Sequence, residues 1–299
     1  MSQAPIPQNG PLGPSDPPAI DIIRRHVQSA LAEDLGPHGD LTARFFLQPG
    51  ILAVASFTAR AEGVIAGLPI LPVVFAEMEA TDVEINNVKN DGALVAPGEI
   101  LATVKGDARS LVTAERTALN YLQRLSGIAT LTRRFVDAVA GFPATILDTR
   151  KTTPGWRTLE KYAVRCGGGA NHRMGLYDAA MVKDNHLAAS PDPQHLQRAA
   201  AALRKAHPEA WIEVEADTLD QVRRFLDMGC FDRILLDNMS VSQMNEAVAL
   251  VDGAVPLEAS GGISLERVRE IAATGVDFIS VGALTHSAVA LDIGLDFRN

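Results

Sequence analysis

Cysteine is scarce in this chain of 299 residues, which contains only Cys166 and Cys230. Two cysteines without Cys-x-x-Cys spacing form at most one bridge, so a disulfide-stabilised scaffold is excluded. So few cysteines, unsuited to a bridge framework, are typical of proteins in a reducing compartment. The cysteine content therefore predicts a cytoplasmic protein.

Long apolar runs and an excess of basic residues are also missing. No run approaches the roughly 20 apolar residues of a membrane-spanning helix, so we expect no membrane association. The formal net charge is −9, whereas nucleic-acid-binding proteins usually carry a basic face, so we expect no nucleic-acid partner. The first nineteen residues hold six prolines and no lysine or arginine. Residues 1–19 are therefore predicted to be a disordered tail rather than a signal peptide.

One segment is strongly cationic despite this acidic background. Between Asp148 and His186 the chain contains D-T-R-K-T-T-P-G-W-R, R-C-G-G-G-A-N-H-R-M-G-L and M-V-K-D-N-H. The cationic residues of this segment are Arg150, Lys151, Arg157, Lys161, Arg165, His172, Arg173 and Lys183. A local positive site in an acidic protein indicates a small polyanionic ligand.

The first part of the chain has the pattern of a small α+β domain over roughly residues 20–106. Its first helix is marked by apolar residues at helical spacing, which are Ile20, Ile23, Val27 and Leu31. Gly36 is placed to end that helix. From residue 107 to about 140 we expect two helices, since Gly127 interrupts an otherwise helical pattern.

Beyond residue 140, short apolar strands mostly alternate with helical segments. Six are clear: A-T-I-L-D-T, A-A-M-V-K, W-I-E-V-E, R-I-L-L-D, V-P-L-E-A-S and D-F-I-S-V-G. Such regular alternation predicts a parallel α/β barrel, and six strands instead of eight predict an incomplete TIM-like barrel. The tail alternates apolar residues at Leu291, Ile293, Leu295 and Phe297. It is predicted to be an antiparallel strand that returns to the first domain's sheet.

Functional side chains follow nearly all of these strands, where the active site of an α/β barrel lies. Arg150, Arg173 and Arg116 are candidates for carboxylate recognition, because a guanidinium group binds a carboxylate through two hydrogen bonds. Lys151 and Lys183 offer point charges to phosphate oxygens.

Acidic residues close two of the strands on the opposite side of the predicted site. Glu215 and Asp237 are expected to hold Mg²⁺ on a diphosphate or to bind ribose hydroxyls. Glu213 is expected to point to the other side of its strand. His172 is expected to hydrogen-bond an anion rather than to coordinate a metal. His186 is expected to give structural support.

Glycines close the last two strands, in S-G-G-I-S and S-V-G-A-L-T. Without a side chain, the backbone N–H groups can approach an anion closely. These strand ends therefore predict a phosphate pocket.

Long motifs of the chain resemble, in the same order, those of the quinolinate phosphoribosyltransferases, the nicotinate-nucleotide pyrophosphorylases of NAD synthesis. The motifs span about residues 115–287 and are A-E-R-T-A-L-N-Y-L-Q-R-L-S-G-I-A-T, D-T-R-K-T-T-P-G-W-R, G-G-G-A-N-H-R-M-G-L-Y-D, M-V-K-D-N-H, I-E-V-E, L-L-D-N, E-A-S-G-G-I and I-S-V-G-A-L-T-H-S. The preceding domain fits the family in layout.

The resemblance implies an open α/β sandwich domain over residues 20–115 and 287–299, and a seven-stranded α/β barrel over residues 116–286. It implies a homodimer with a shared active site, or a higher oligomer built from that dimer. The implied substrates are quinolinate and phosphoribosyl pyrophosphate. The implied cofactor is Mg²⁺ bound together with phosphoribosyl pyrophosphate, and no organic cofactor is expected.

The resemblance also assigns roles to residues of this sequence. The quinolinate side would comprise Thr149, Arg150, Lys151, His172, Arg173 and Lys183, with Arg116 donated across the dimer interface. Ribose and metal would face Glu215 and Asp237. Phosphate would bind at Ser260, Gly261, Gly262, Val281, Gly282 and Ala283. The residues expected to be catalytic are Lys151, Lys183, Glu215 and Asp237.

Two other functions stay open at this point. The related pyrophosphorylase-like proteins of molybdenum transport operons share D-T-R-K-T and H-R-x-G-L, although M-V-K-D-N-H looks more like the quinolinate enzymes. A Schiff-base aldolase would instead use Lys183, on an apolar strand, as its nucleophile.

Overall fold

The computed structural model describes residues 16–80, 82–189 and 192–298. These residues form two compact units. The parallel-sheet unit comprises Arg134–Arg157 and Gly169–His286, and the antiparallel-sheet unit comprises the described parts of Leu12–Arg133, Thr158–Gly168 and Ser287–Asn299. Most of the tail predicted to be disordered lies outside the described residues. Within the described ranges, no helix is both long and apolar enough to span a bilayer.

The antiparallel-sheet unit is built on four strands in the order β12-β1-β5-β3. These strands are β1 (Leu52–Ala59), β3 (Glu84–Asn87), β5 (Ile100–Asp107) and β12 (Ile293–Arg298). A separate short pair joins β2 (Gly63–Val64) to β4 (Leu94–Val95). Its helices are α1 (Ile20–Leu35), α2 (Leu41–Phe46), α3 (Leu71–Glu77), most of α4 (Ala108–Ala138) and most of α5 (Arg157–Cys166).

The ends of this unit follow the sequence pattern. Helix α1 buries Ile23, Val27 and Leu31 and ends at Gly36, whose φ of 49° favours glycine. Strand β12 pairs with β1 antiparallel, from Val54 opposite Arg298 to Ala59 opposite Ile293. The prediction that the chain returns to its first sheet is confirmed.

The expected break at Gly127 was wrong, because α4 runs through this glycine without interruption. A Cβ at Gly127 would clash with the carbonyl oxygen of Val289 and lie 2.9 Å from Ala290 Cα. The glycine therefore serves close approach of a neighbouring backbone. That gain offsets a helix-propensity cost of about 1 kcal/mol relative to alanine.

The parallel-sheet unit contains the six predicted strands in one sheet, in the order β6-β11-β10-β9-β8-β7. They are β6 (Thr145–Leu147), β7 (Ala179–Val182), β8 (Trp211–Ala216), β9 (Arg233–Asp237), β10 (Leu257–Ser260) and β11 (Phe278–Ser280), and every pair is parallel. The alternating helices are α6 (Asp184–Ala189), α7 (Pro193–Ala206), α8 (Leu219–Met228), α9 (Val241–Val251), α10 (Val268–Ala272) and α11 (Ala283–His286). The predicted α/β fold with a parallel sheet is confirmed.

Capping residues explain where two of these helices begin. Thr218 precedes α8 and Ser240 precedes α9, each accepting the N–H of a glutamine three residues later. Gln221 and Gln243 complete the two capping boxes by accepting the N–H of the capping residue in return. Both helices thus start shortly after a strand end that carries an acidic residue.

Strand register brings the charged residues of this sheet together. Glu215 lies opposite Leu235, and Asp237 lies opposite Ser260. Because side chains two residues apart share a face of a strand, Glu213 also lies on the face of Glu215. The same face of β8, β9 and β10 therefore carries several ionisable groups.

Candidate active site

The carboxyl ends of the parallel strands surround a cavity of about 540 Å³. Most of the predicted site residues line it, namely Thr149, Arg150, Lys151, His172, Arg173, Lys183, Glu215, Asp237, Ser260, Gly261 and Gly262. The structure therefore brings the cationic segment and the acidic and glycine-rich strand ends into one site.

Asp148 explains how the two parts of the cationic segment meet. It is fully buried, and its carboxylate accepts the Asn171 side-chain N–H at 2.6 Å and the His172 backbone N–H at 2.9 Å. These bonds hold the loop at residues 171–173 beside the end of β6. The loop at Arg150 and Lys151 is shaped in turn by Thr149, whose hydroxyl accepts the Lys151 N–H at 3.0 Å.

Arg173 and Arg150 form the strongly cationic side of the cavity. The Arg173 guanidinium is 8% exposed and donates to the carbonyl of Ala179 at 3.0 Å. Burial and the positive charge of Arg150 lower the pKa of Arg173. Two mutually repelling cations at one wall favour binding of an anion between them.

The acidic side centres on Glu215, which is 8% exposed. Its carboxylate accepts a hydrogen bond from Lys183 Nζ at 2.8 Å. Oxygen atoms of Glu215, Asp217 and Asp237 lie within 4.8 Å of one another. Asp217 was missed in the sequence, although it continues the alternation of acidic residues at positions 213 and 215. Three carboxylates at this spacing are suited to a hard divalent cation.

The glycine-rich end of β10 depends on the absence of side chains. Gly261 has a φ of +91°, and a Cβ there would clash with the side-chain oxygen of Asn238 and lie 2.6 Å from its Cγ. Asn238 itself has a φ of 53° and donates to Asp237 Oδ2 at 2.6 Å. The turn after β10 is therefore tied to the acidic side of the site.

The end of β11 offers fewer free backbone N–H groups to the predicted phosphate pocket than its glycine pattern suggests. Ser280 lines the cavity, whereas the Val281 N–H donates to the carbonyl of Leu147 at 2.9 Å. Gly282 lies against Lys151, whose Cδ would be 3.0 Å from an added Cβ, and Ala283 begins α11. His286 Nε2 would lie 3.2 Å from the same Cβ. Sequence reasoning missed His286, four residues after Gly282.

His172 lies at the floor of the cavity with both ring nitrogens in contact with protein groups. Nε2 is 3.1 Å from Glu213 Oε2 and 3.5 Å from Glu258 Oε1, while Nδ1 accepts the Arg173 N–H at 2.8 Å. Burial opposes the charged ring, but the Glu258 and Glu213 carboxylates outweigh it and raise the pKa of His172. A proton on Nδ1 would face the Arg173 N–H at 2.8 Å, and two donors at this distance repel, so Nδ1 carries no proton. The ring proton is therefore placed on Nε2.

The expected orientation of Glu213 was wrong. Glu213 is fully buried on the same face as Glu215, because positions two apart in a strand point the same way. Glu258 and Arg233 join it, with Arg233 Nη1 2.6 Å from Glu258 Oε2. Burial and the charge of Glu258 raise the pKa of Glu213. Burial would also raise the pKa of Glu258, but the contact with His172 and the positive charge of Arg233 lower it. Sequence reasoning missed Glu258 and Arg233, since their meeting depends on strand register.

The remaining predicted residues lie outside the cavity lining. His186 Nδ1 accepts the Lys183 N–H at 3.0 Å, which agrees with its expected supporting role. Arg157 donates to the carbonyl of Met174 at 3.0 Å and so supports the loop. Arg116 is exposed on α4, in the antiparallel-sheet unit, and its role in the site stays a prediction.

Comparison with known proteins identifies one family over nearly the whole chain. Residues 40–126 match the quinolinate phosphoribosyl transferase N-terminal domain, and residues 128–296 match the C-terminal domain. The chain is 46% identical to the nicotinate-nucleotide pyrophosphorylase [carboxylating] of Mycobacterium leprae, over 93% of this chain and 98% of the relative. It is 42% identical to a mitochondrial quinolinate phosphoribosyltransferase [decarboxylating] of Nicotiana tabacum, over 93% of this chain and 82% of that protein. The solved nicotinate-nucleotide pyrophosphorylase of Francisella tularensis superimposes with a TM-score of 0.86 at 38% identity, over 93% of this chain and 96% of the other.

Proposed function

Since this chain belongs to the quinolinate phosphoribosyltransferase family, we propose that it transfers the phosphoribosyl group of phosphoribosyl pyrophosphate to quinolinate. The products are nicotinate mononucleotide, pyrophosphate and CO₂. The observation that carries this proposal is the single cavity in which a cationic wall faces an acidic, glycine-rich wall. Two anionic substrates can meet there because cations offset their repulsion.

The cationic wall fits quinolinate, a pyridine with two adjacent carboxylates. Arg150 and Arg173 bind carboxylate oxygens, and Lys151 adds a point charge between them and the phosphate side. Both ring nitrogens of His172 contact protein groups, so neither is available to bind quinolinate. His172 contributes instead by holding the loop that carries Arg173. Arg116 completes this wall from the partner subunit.

The acidic wall fits the sugar and a metal ion. The donor set of Glu215, Asp217 and Asp237 consists of carboxylate oxygens, which Mg²⁺ prefers, so these residues would hold Mg²⁺ with the diphosphate. Bound Mg²⁺ would offset the charge of the departing diphosphate. Lys183 lies beside Glu215 and stabilises negative charge on the departing diphosphate.

The phosphate of the ribose binds at Ser260, Gly261 and Gly262, where the backbone is open to close approach. Gly282 and Ala283 extend this pocket. The quinolinate ring nitrogen then attacks C1 of the ribose as pyrophosphate departs. The resulting pyridinium withdraws electrons from the adjacent C–CO₂⁻ bond, so CO₂ leaves and the ring carbon takes up a proton.

We assign the parallel sheet to an incomplete seven-stranded barrel. Its seventh position is the segment at Ala170, which bridges Leu147 in parallel on the side of β6 away from β11. The proposed domain limits are residues 20–115 with 287–299 for an open α/β sandwich and 116–286 for the barrel. They differ from the compact units, in which residues 116–133 and 158–168 belong to the antiparallel-sheet unit. The cytoplasm is the proposed location, with no nucleic-acid or membrane partner.

We assign the active form to a homodimer, or a higher oligomer of such dimers, in which Arg116 reaches the partner's cavity. Arg109, Thr113 and Arg116 recur at helical spacing on α4. Arg109 and Thr113 hold α2 through the carbonyl of Leu47 and the side chain of Asp40. Helix α2 exposes Phe45 and Phe46 by 71% and 84%. Large exposed aromatic side chains on a helix that α4 holds favour burial against another subunit.

The test supplies the purified protein with quinolinate, phosphoribosyl pyrophosphate and Mg²⁺. We expect nicotinate mononucleotide and CO₂ in equal amounts, and no turnover when the metal is chelated. A control reaction with nicotinate, which has only one carboxylate, tests whether the enzyme needs both carboxylates of quinolinate. Absence of nicotinate mononucleotide would reject the function and leave the molybdenum-operon relatives as the alternative.

Trapping of Lys183 by borohydride with a carbonyl substrate would support an aldolase instead. However, the Lys183 side chain is 45% exposed and paired with Glu215, so it lacks the apolar environment of such a nucleophile.

A further inference from the structure

At the cavity floor lies a buried cluster of charged residues around His172, and the proposed reaction leaves Glu213, Arg233 and Glu258 of this cluster without a role. We call His172, Glu213, Arg233 and Glu258 the buried quartet, because each is at most 7% exposed. Its three strand residues precede cavity residues on the same strand faces: Glu213 precedes Glu215, Arg233 precedes Asp237, and Glu258 precedes Ser260.

Stability alone does not account for the buried quartet. The interior of an α/β barrel is ordinarily filled by branched apolar side chains, and replacing buried ion pairs by such residues is often neutral or stabilising. Within the described residues, the buried Glu213 Oε1 has no hydrogen-bond partner, and Glu258 Oε1 has a contact of 3.5 Å with His172 Nε2, which is long for a hydrogen bond. Incompletely satisfied carboxylates in a core point to a role in function.

A continuous line of contacts leads from the buried quartet to the cationic wall. Arg233 Nη1 contacts the Glu258 carboxylate at 2.6 Å, and the Arg233 guanidinium lies 3.8 Å from the centre of the Phe278 ring. These two contacts fix the position of the Glu258 carboxylate. Glu258 and Glu213 face Nε2 of His172, and Nδ1 of the same ring accepts the Arg173 N–H. The orientation of the imidazole therefore sets the backbone position of Arg173, whose side chain lines the cavity.

We propose that Glu258, held by Arg233, is a positioning residue for quinolinate: it orients His172 and through it Arg173, without touching the substrate. This inference rests on the proposed function, in which Arg173 binds a quinolinate carboxylate. The line of contacts from Arg233 through Glu258 and His172 to Arg173 does not include Asp237 or Ser260, which line the phosphoribosyl side of the cavity. The two substrates are therefore affected differently when Glu258 is changed.

The first test is Glu258→Gln, which keeps the shape of the side chain and removes its charge. We expect the KM for quinolinate to rise by about tenfold or more, as loss of a partner that orients a functional histidine typically costs. The KM for phosphoribosyl pyrophosphate should stay within about twofold of the wild-type value. Equal changes in both KM values, or an unchanged KM for quinolinate, would overturn the inference.

A second variant separates positioning from charge balance. Glu258→Gln removes the carboxylate 2.6 Å from Arg233 and leaves only Glu213, at 4.0 Å. Glu258→Gln combined with Arg233→Met removes both charges, so the Tm should return towards that of the wild type. The KM for quinolinate should stay raised, because His172 still lacks the charge of Glu258 and keeps only that of Glu213. Recovery of that KM together with the Tm would show a purely structural role.

Glu160→Gln is the matched control, because Glu160 is equally buried and is paired with Arg124 at 2.8 Å in the other unit. It should lower the Tm and leave both KM values unchanged. A wild-type protein without turnover would reject the proposed function and this inference together. A wild-type protein with turnover and a Glu258→Gln variant with an unchanged KM for quinolinate would reject the inference alone.

Discussion

The two sheets of this protein have very different interiors. In the antiparallel sheet, the central strands β1 and β5 bury apolar side chains such as Phe57, Leu101 and Val104. In the parallel sheet, β8, β9 and β10 bury Glu213, Arg233 and Glu258. Both sheets belong to one chain, so composition does not explain the difference. Among the described strands of the two sheets, buried charged side chains occur in the sheet whose strand ends form the cavity, although helix α5 also buries Glu160 and Lys161. This placement indicates that the charges of the parallel sheet serve the site.

The largest expected effect tests the apolar side of this comparison. Phe57→Ala should lower the free energy of unfolding by about 3–5 kcal/mol, because it opens a cavity in a close-packed core. Chemical denaturation followed by circular dichroism measures this, and the KM values of the folded variant should be unchanged. Leu94→Ala is the control, since Leu94 is 63% exposed. A raised KM for quinolinate in Phe57→Ala would contradict the separation between the two sheets.

The charged side of the comparison is tested at its cavity residues. Lys183→Ala and Arg150→Ala should each lower turnover by roughly a hundredfold or more, as loss of a preorganised charge contact typically does. Steady-state kinetics with both substrates measures this, and the melting temperatures should change little. Lys205→Ala, an exposed lysine on α7, is the matched control. Near-normal turnover in both variants would refute the assignment of the site.

Gly261→Ala separates backbone strain from site geometry. The alanine would meet Asn238 and adopt a positive φ, so we expect a loss of about 1–3 kcal/mol in stability. The KM for phosphoribosyl pyrophosphate should also rise. Gly253→Ala is the matched control, because Gly253 has a φ of +74° and open space around it. Equal KM values in the two variants would show that the turn after β10 does not bind phosphate.

The smallest expected effect concerns Arg116, the one site residue that the antiparallel-sheet unit supplies. Inactive Arg116→Ala and Lys183→Ala proteins, mixed and allowed to exchange subunits, should recover about a quarter of wild-type activity, since half of the dimers are hybrids with one intact site. Each variant alone, treated in the same way, is the control. No recovery after proven exchange would exclude a shared site.

Local sequence patterns predicted the strands and the cavity wall well. The six parallel strands are short apolar runs bounded by polar residues. Lys183 directly follows β7, Arg150 comes three residues after β6, and Glu215 and Asp237 lie in the last two residues of β8 and β9. Such features depend on neighbours in the sequence.

Features that depend on distant contacts were missed. Gly127 was expected to break a helix because its partner, the backbone at Val289, is far along the chain. Glu258 and Arg233 meet only once the register of β9 and β10 is set. Glu213 differs, since its shared face with Glu215 followed from strand geometry and could have been deduced from the sequence.

The pairing of β12 with β1 has a consequence for how the chain is made. Arg60 and Asp296, which form an ion pair at this seam, are 236 residues apart in sequence. During synthesis all six parallel strands leave the ribosome before the last strand of the first sheet exists, so one edge of β1 waits unpaired. Contacts of such high sequence separation slow folding, and an exposed strand edge invites pairing with other chains. The nascent chain therefore keeps one edge of β1 open to other chains until β12 emerges.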